Sequence, residues 1–136
     1  MASKGQLTGM RGVYLVAAEL AGRGFVASPT SRSANSADLL VSDQRCKRPF
    51  TVQVKTNAKS ATWWLVNKDT HRIKSDTFLY VLVNLRGDGP HDYYVMPSAT
   101  VAGNARTFKR PNSTFYGLSR KAANRYKDDW SRFGRP

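Results

Sequence analysis

Three residues on two short apolar runs are placed to do chemistry. Asp38 opens the run Ala37-Asp38-Leu39-Leu40-Val41, and Gln53 and Lys55 alternate through Val52-Gln53-Val54-Lys55-Thr56. In an extended chain, period two sets Gln53 and Lys55 on one face and Phe50, Val52 and Val54 on the other. A carboxylate on one strand and a Gln-x-Lys step on the next can gather a metal ion, a water and a phosphate at one spot. Asp38 is the natural ligand for a hard cation such as Mg²⁺; Gln53 offers a neutral amide oxygen and Val54 its backbone carbonyl. Lys55 then meets the phosphate or orients the water. Phosphodiester hydrolysis needs these functions: an activated water, neutralised charge on the phosphorus oxygens and a stabilised leaving oxygen. Glu19, the only glutamate in the chain, stands upstream inside an otherwise apolar helical stretch.

Each of these residues has a plainer reading when taken alone. Gln and Lys often solvate the outer face of a sheet, an Asp beside a strand often serves a turn, and Glu19 sits four residues before Arg23, a helical ion-pair spacing. The ordered set carries the argument, each member on an element suited to hold it.

Those elements follow from periodicity. A helix is expected from about Thr8 or Gly9 to Ala21, with Met10, Val13, Val16, Ala17, Leu20 and Ala21 on one arc and Glu19 at its edge. Gly22 and Gly24 stop it, and Phe25 to Ser28 reads as a strand. After a polar stretch from Pro29 to Asn35 comes the Asp38 strand, beginning near Ser36. A charged turn from Asp43 to Pro49 returns it antiparallel into Phe50 to Thr56. Trp63 to Val66 is expected to continue the meander, and Lys68 to Ser75 is a polar loop. Phe78 to Leu85 lacks alternation and reads as a central strand buried on both faces. Tyr93 to Met96 is a further strand, Pro97-Ser98 opens a short helix through Val101, and Ser119 to about Trp130 is read as helical. The whole is a mixed α/β arrangement of about five strands flanked by helices.

The chain has 136 residues, 40% of them hydrophobic, enough for one domain with one real core. Its formal net charge of +13 names a polyanionic partner, because clustered Lys and Arg gain affinity by releasing phosphate counterions; DNA, RNA, an anionic membrane or a ribosome-like assembly all suit it. The segment from about 104 to 136 carries nine basic residues against Asp128 and Asp129. Of these, Arg106, Lys109, Arg110, Arg120, Lys121 and Arg125 are the expected phosphate contacts, on a flank docked against a core at about 8–101.

One cysteine, Cys46, excludes a disulfide framework and a multi-cysteine zinc site, and fits a reducing cytoplasm. No segment reads as a membrane span or a cleaved leader. His71 and His91 fall in polar turns and read as solvated. Trp63 and Trp64 are adjacent, so in a strand one faces in and one out.

The order Gly9-x-x-Gly12 with Glu19 on the first helix, then Ala37-Asp38-Leu39-Leu40-Val41, then Val52-Gln53-Val54-Lys55-Thr56 resembles the PD-(D/E)xK nuclease superfamily. It is most similar to small prokaryotic members with a Q-x-K variant, over about Thr8 to Val101. The resemblance implies a restriction-endonuclease-like fold with an αβββαβ-type core, a Mg²⁺ site that Mn²⁺ also fills, DNA as substrate and a homodimer. It makes Asp38 the motif aspartate, Lys55 the motif lysine and Glu19 the helix carboxylate, with Gln53 where Asp or Glu is commoner. No proline precedes Asp38, and Gln53 removes a negative charge from the metal site. The alternative reading is therefore a catalytically inactive nucleic-acid-binding protein of the same fold. A ribosome-associated structural protein is the third.

Overall fold

The computed structural model describes residues 1–31 and 37–136. The parts of the expected polar stretch and strand start that fall on 32–36, Ser36 included, lie outside the described residues.

Helix α1 runs Lys4–Gly22, four residues earlier than its apolar arc indicates. The reason is a capping box: the Ser3 hydroxyl accepts from the Gln6 amide (3.1 Å), and the Gln6 side chain accepts from the Ser3 amide (2.8 Å). Two of the orphan donors at the helix start are thereby satisfied. Val16 and Leu20 are fully buried beneath the helix.

Five strands form the main sheet: β1 (Val26–Pro29), β2 (Leu39–Ser42), β3 (Phe50–Asn57), β5 (Phe78–Asn84) and β6 (Asp92–Pro97), in the order β1-β2-β3-β5-β6. The β1-β2, β2-β3 and β5-β6 pairs are antiparallel, whereas β3 and β5 are parallel. Every residue of β5 is buried, as its unbroken apolar run requires. The β2-β3 turn is held by Asp43, whose carboxylate accepts from the Arg45 and Lys47 amides and from Arg48. Those bonds, the Lys47 amide foremost, outweigh its desolvation and lower its pKa.

The segment between β3 and β5 departs from expectation. Strand β4 (Trp63–Val66) does not extend the meander; it joins a second sheet in the order β4-β8-β7. Its partners β7 (Arg106–Arg110) and β8 (Ser113–Ser119) form a hairpin in the basic segment where no strands were expected. The signal was present: Pro111-Asn112 is a turn pair between two runs rich in Thr and aromatic residues. The expected helix from Ser119 to Trp130 shrinks to α3 (Arg120–Ala123), followed by 3-10 turns at Asn124–Tyr126 and Trp130–Phe133. Asp128 at φ 54° breaks the helical path between them. Helix α2 (Ser98–Asn104) follows β6 as expected and runs three residues further.

The main sheet is covered on both faces. Val52, Val54, Leu79, Val81 and Val83 pack against α1 together with Trp130 and Phe133. On the opposite face Tyr80, Leu82 and Met96 pack against Trp64, Val66, Leu118 and Tyr126. The C-terminal segment thus supplies side chains to both cores. No described helix is long and apolar enough to cross a membrane.

Candidate active site

The site forms where β2 begins and its pairing with β3 stops. The last main-chain bond of that ladder runs from the Asp38 amide to the Val52 carbonyl (2.8 Å). One step further along β3, the Val54 amide has no β2 residue opposite, and the Asp38 carboxylate takes the strand's place. Its Oδ2 accepts from the Val54 amide at 2.8 Å and from Gln53 Nε2 at 3.1 Å. The Asp38 side chain is therefore aimed by the backbone of the strand that carries its chemical partners. Because amide and carbonyl of one strand residue point to the same side, the Val54 carbonyl faces the same opening.

Gln53 is buried and Lys55 half-buried, both on the sheet face opposite Val52 and Val54. Lys55 Nζ donates to Asn67 Oδ1 at 3.0 Å, just past the end of β4. Burial lowers the Lys55 pKa below 10.5, and the negative charge of Asp38 pulls in the opposite direction. Lys55 and Asp38 line the same recess.

These residues line a recess of about 450 Å³. Its other walls are Gln6, Gly9, Met10, Val13 and Tyr14 from the first half of α1, with Pro29, Thr30 and Ser31 at the end of β1. Thr30 is fixed to the site by two contacts: its amide donates to the Asp38 carbonyl at 3.0 Å and its hydroxyl to the Ala37 carbonyl.

The structure brings together Asp38, Gln53, Val54 and Lys55. It does not bring Glu19 to them. Glu19 lies on the last turns of α1, paired with Arg23 at 3.6 Å, and lines a different recess with Leu15, Ala18 and Tyr93. The reason is helical geometry. Glu19 is five residues beyond Tyr14, about 7.5 Å further along the axis and on another side of the helix. The α1 positions that do face Asp38 carry no carboxylate.

Among the described residues no group of three His, Cys, Asp or Glu side chains is placed to hold a metal ion. Asp38, Gln53 and the Val54 main chain offer the recess one carboxylate, one side-chain amide and one carbonyl. That set fits Mg²⁺, which accepts one or two carboxylates and keeps several of its waters. It does not fit Zn²⁺, which takes His and Cys nitrogen and sulfur in closed sites. His71 contacts the Ala102 carbonyl at 3.1 Å, and His91 accepts from the Arg86 amide at 3.0 Å. Both serve loops away from the recess.

The basic residues divide by element. Arg106, Lys109 and Arg110 are exposed on β7, Arg120 and Lys121 open α3, and Arg125 lies on the 3-10 turn after it. Arg106, Arg120 and Lys121 share a cleft of about 340 Å³ with Thr62 and Trp63. Asn67, Gln6 and Tyr14 were not legible as site residues. Gln6 and Tyr14 line the recess and Asn67 holds Lys55 through tertiary packing, and no local spacing marks them.

Sheet order and flanking helices make this a restriction-endonuclease-like fold. Among solved structures the chain is similar to Hjc, a Holliday junction resolvase from the archaeal hyperthermophile Archaeoglobus fulgidus. The TM-score is 0.51 and the identity 11%, over 85% of this chain and 87% of that one. No protein-family model matches the chain, and no curated protein does so.

Proposed function

We propose that this protein is a Mg²⁺-dependent endodeoxyribonuclease, with Mn²⁺ able to substitute. The observation that carries the reading is the single recess in which Asp38 is hydrogen-bonded to the strand bearing Gln53 and Lys55. The neighbour's description as a Holliday junction resolvase supports DNA as the polymer. Asp38, the Gln53 amide oxygen and the Val54 carbonyl would hold the cation, which when bound would supply water activation and charge neutralisation at the phosphate.

The chain's own groups do the rest. Asp38, oriented by the Val54 amide, keeps one oxygen turned to the recess while the other is engaged. Lys55, tethered by Asn67, presents its ammonium to a non-bridging phosphate oxygen or to the attacking water. Half-burial strengthens that contact by thinning the water around it. Arg106, Lys109, Arg110, Arg120, Lys121 and Arg125 hold the sugar-phosphate backbone without reading sequence. A homodimer would address two strands at once.

Plasmid nicking tests the proposal. Supercoiled DNA is expected to be nicked with Mg²⁺ or Mn²⁺ and left intact in EDTA. Asp38→Ala and Lys55→Ala are each expected to lower the rate at least 100-fold while binding persists. One observation favours a second reading: among the described residues Asp38 is the only carboxylate lining the recess. If DNA is bound well and every divalent metal leaves it intact, the protein is a non-cleaving DNA-binding member of the fold.

A further inference from the structure

We infer that the outer face of the β4-β8-β7 sheet is a stacking platform for an unpaired DNA strand, which it leads into the Asp38 recess. The platform stands on its own geometry; only the delivery step rests on the proposed nuclease reading.

The face follows from strand parity. Trp64 and Val66 of β4 and Leu118 of β8 point into the second core, so Trp63, Leu65, Phe115 and Gly117 point out. The register sets Leu65 opposite Gly117, Gly117 opposite Arg106, and Phe115 opposite Phe108. Four large apolar side chains are left in water: Trp63 is 37% exposed, Leu65 67%, Phe108 38% and Phe115 43%. A contiguous patch of this kind marks an interaction surface.

Gly117 forms its floor. A Cβ there would stand 3.1 Å from Phe108 Cε2 and 3.2 Å from Trp63 Cε3, so a side chain would push the two rings apart. Without one, Trp63 and Phe108 meet edge to face at 5.5 Å.

Charge selects the occupant. β4, β7 and β8 contain no acidic residue. Arg106 sits over the Trp63 ring at 5.7 Å, Arg110 lines the far end of the groove, and Arg120 and Lys121 lie beyond Trp63. Exposed rings bordered by guanidinium groups suit planar bases joined by phosphates. A duplex keeps its base faces hidden, so the strand must be single.

The platform adjoins the recess. Asn57 lines the groove and lies two residues beyond Lys55 on the same face of β3, about 7 Å away. That span matches two base steps of about 3.4 Å in a stacked strand. Asn57 Nδ2 also donates to the Trp63 carbonyl at 2.8 Å and to Asn84 Oδ1 at 2.9 Å, which fixes β4 against β3. A strand stacked on Trp63 would thus place a phosphate near Lys55.

Fluorescence anisotropy in EDTA tests this with three labelled 12-mers: oligo-dT, an abasic strand of equal charge, and a blunt duplex. Oligo-dT is expected to bind at least tenfold tighter than the abasic strand. Trp63→Ala and Phe115→Ala should each weaken it by about 5- to 150-fold, Trp63→Phe should restore most of the loss, and duplex affinity should stay within about twofold. Equal affinity for oligo-dT and the abasic strand overturns the proposal, as does tighter binding of oligo-rU. A dimer in sedimentation that Phe115→Ala dissociates also overturns it, since a second copy then owns the face. Loss of plasmid nicking with oligo-dT binding intact sinks the nuclease reading and leaves the platform standing.

Discussion

At the scale of single residues, Asp38 and Lys55 are held in opposed ways. Asp38 is fixed by a main-chain amide, whereas Lys55 is half-buried and its charge is disfavoured there. Because its pKa in the folded protein lies below the unfolded value of 10.5, the unfolded chain binds this proton more tightly. Stability from this group therefore rises with pH between the lowered pKa and 10.5, and the charged lysine costs stability at neutral pH. Such a cost is what a functional position carries. The negative charge of Asp38 favours the ammonium, so Asp38→Asn is expected to lower the Lys55 pKa further, seen as an earlier titration of its ¹³Cε resonance; an unchanged midpoint would show the two groups are uncoupled. Gln53 makes the complementary prediction. Gln53→Glu adds a second carboxylate beside Asp38 and is expected to tighten Mg²⁺ binding about tenfold or more by calorimetry, with unchanged affinity counting against Gln53 as a ligand. Gln53 and Lys55 were legible in the sequence because strand spacing sets them on one face, and Asp38 because it opens the apolar run of the preceding strand. Asn67 was not, because a hydrogen bond from Lys55 across a chain crossing leaves no mark in local spacing.

Among the elements, α1 does the positioning, and it does so by close approach. Gly12 rests on β3 so tightly that a Cβ would lie 1.7 Å from Thr56 Oγ1 and 2.8 Å from Thr56 Cβ. Helix propensity alone favours Ala over Gly by about 1 kcal/mol. The contact reverses that sign: Gly12→Ala is expected to destabilise the fold by about 1–3 kcal/mol, as overpacking does, measured by urea denaturation. Thr56→Ala should recover part of the loss in the double variant. A stabilised Gly12→Ala protein would mean that α1 does not lie this close to β3. The buried run of β5 was readable because it buries what its pattern prescribes; of the α1 arc, Val13, Val16, Ala17 and Leu20 pack into the core, whereas Met10 and Ala21, at its two ends, are exposed. The β7-β8 hairpin went unread although Pro111-Asn112 marks its turn, because most of its side chains are exposed and its basic composition masks the Thr and aromatic pattern. The stop after Ala123 was equally hidden: Tyr126 and Trp130 are four apart and could share a helix face, yet they enter different cores.

For the whole molecule, the excess of positive charge sets how it meets a polyanion. A formal charge of +13 attracts any nucleic acid, so affinity by itself does not separate a specific contact surface from a general field. Salt dependence does. Each phosphate neutralised at the interface releases counterions and contributes about −0.9 to the slope of log K against log salt for duplex DNA. Arg106, Arg120 and Lys121 share one cleft beside Trp63, whereas Lys4 and Lys59 lie outside the proposed contact surface. Converting the three cleft residues to Gln is therefore expected to flatten the duplex slope by about 2–3. Converting Lys4, Lys59 and Arg45 to Gln removes the same charge and is expected to change the slope by less than about 1. Both sets keep the two cores intact, because all six side chains lie at the surface or its edge. Titrations between about 50 and 200 mM salt measure the difference. Equal slopes for the two triple variants would mean that the protein binds DNA through its net field, and that the C-terminal flank has no defined path for a strand.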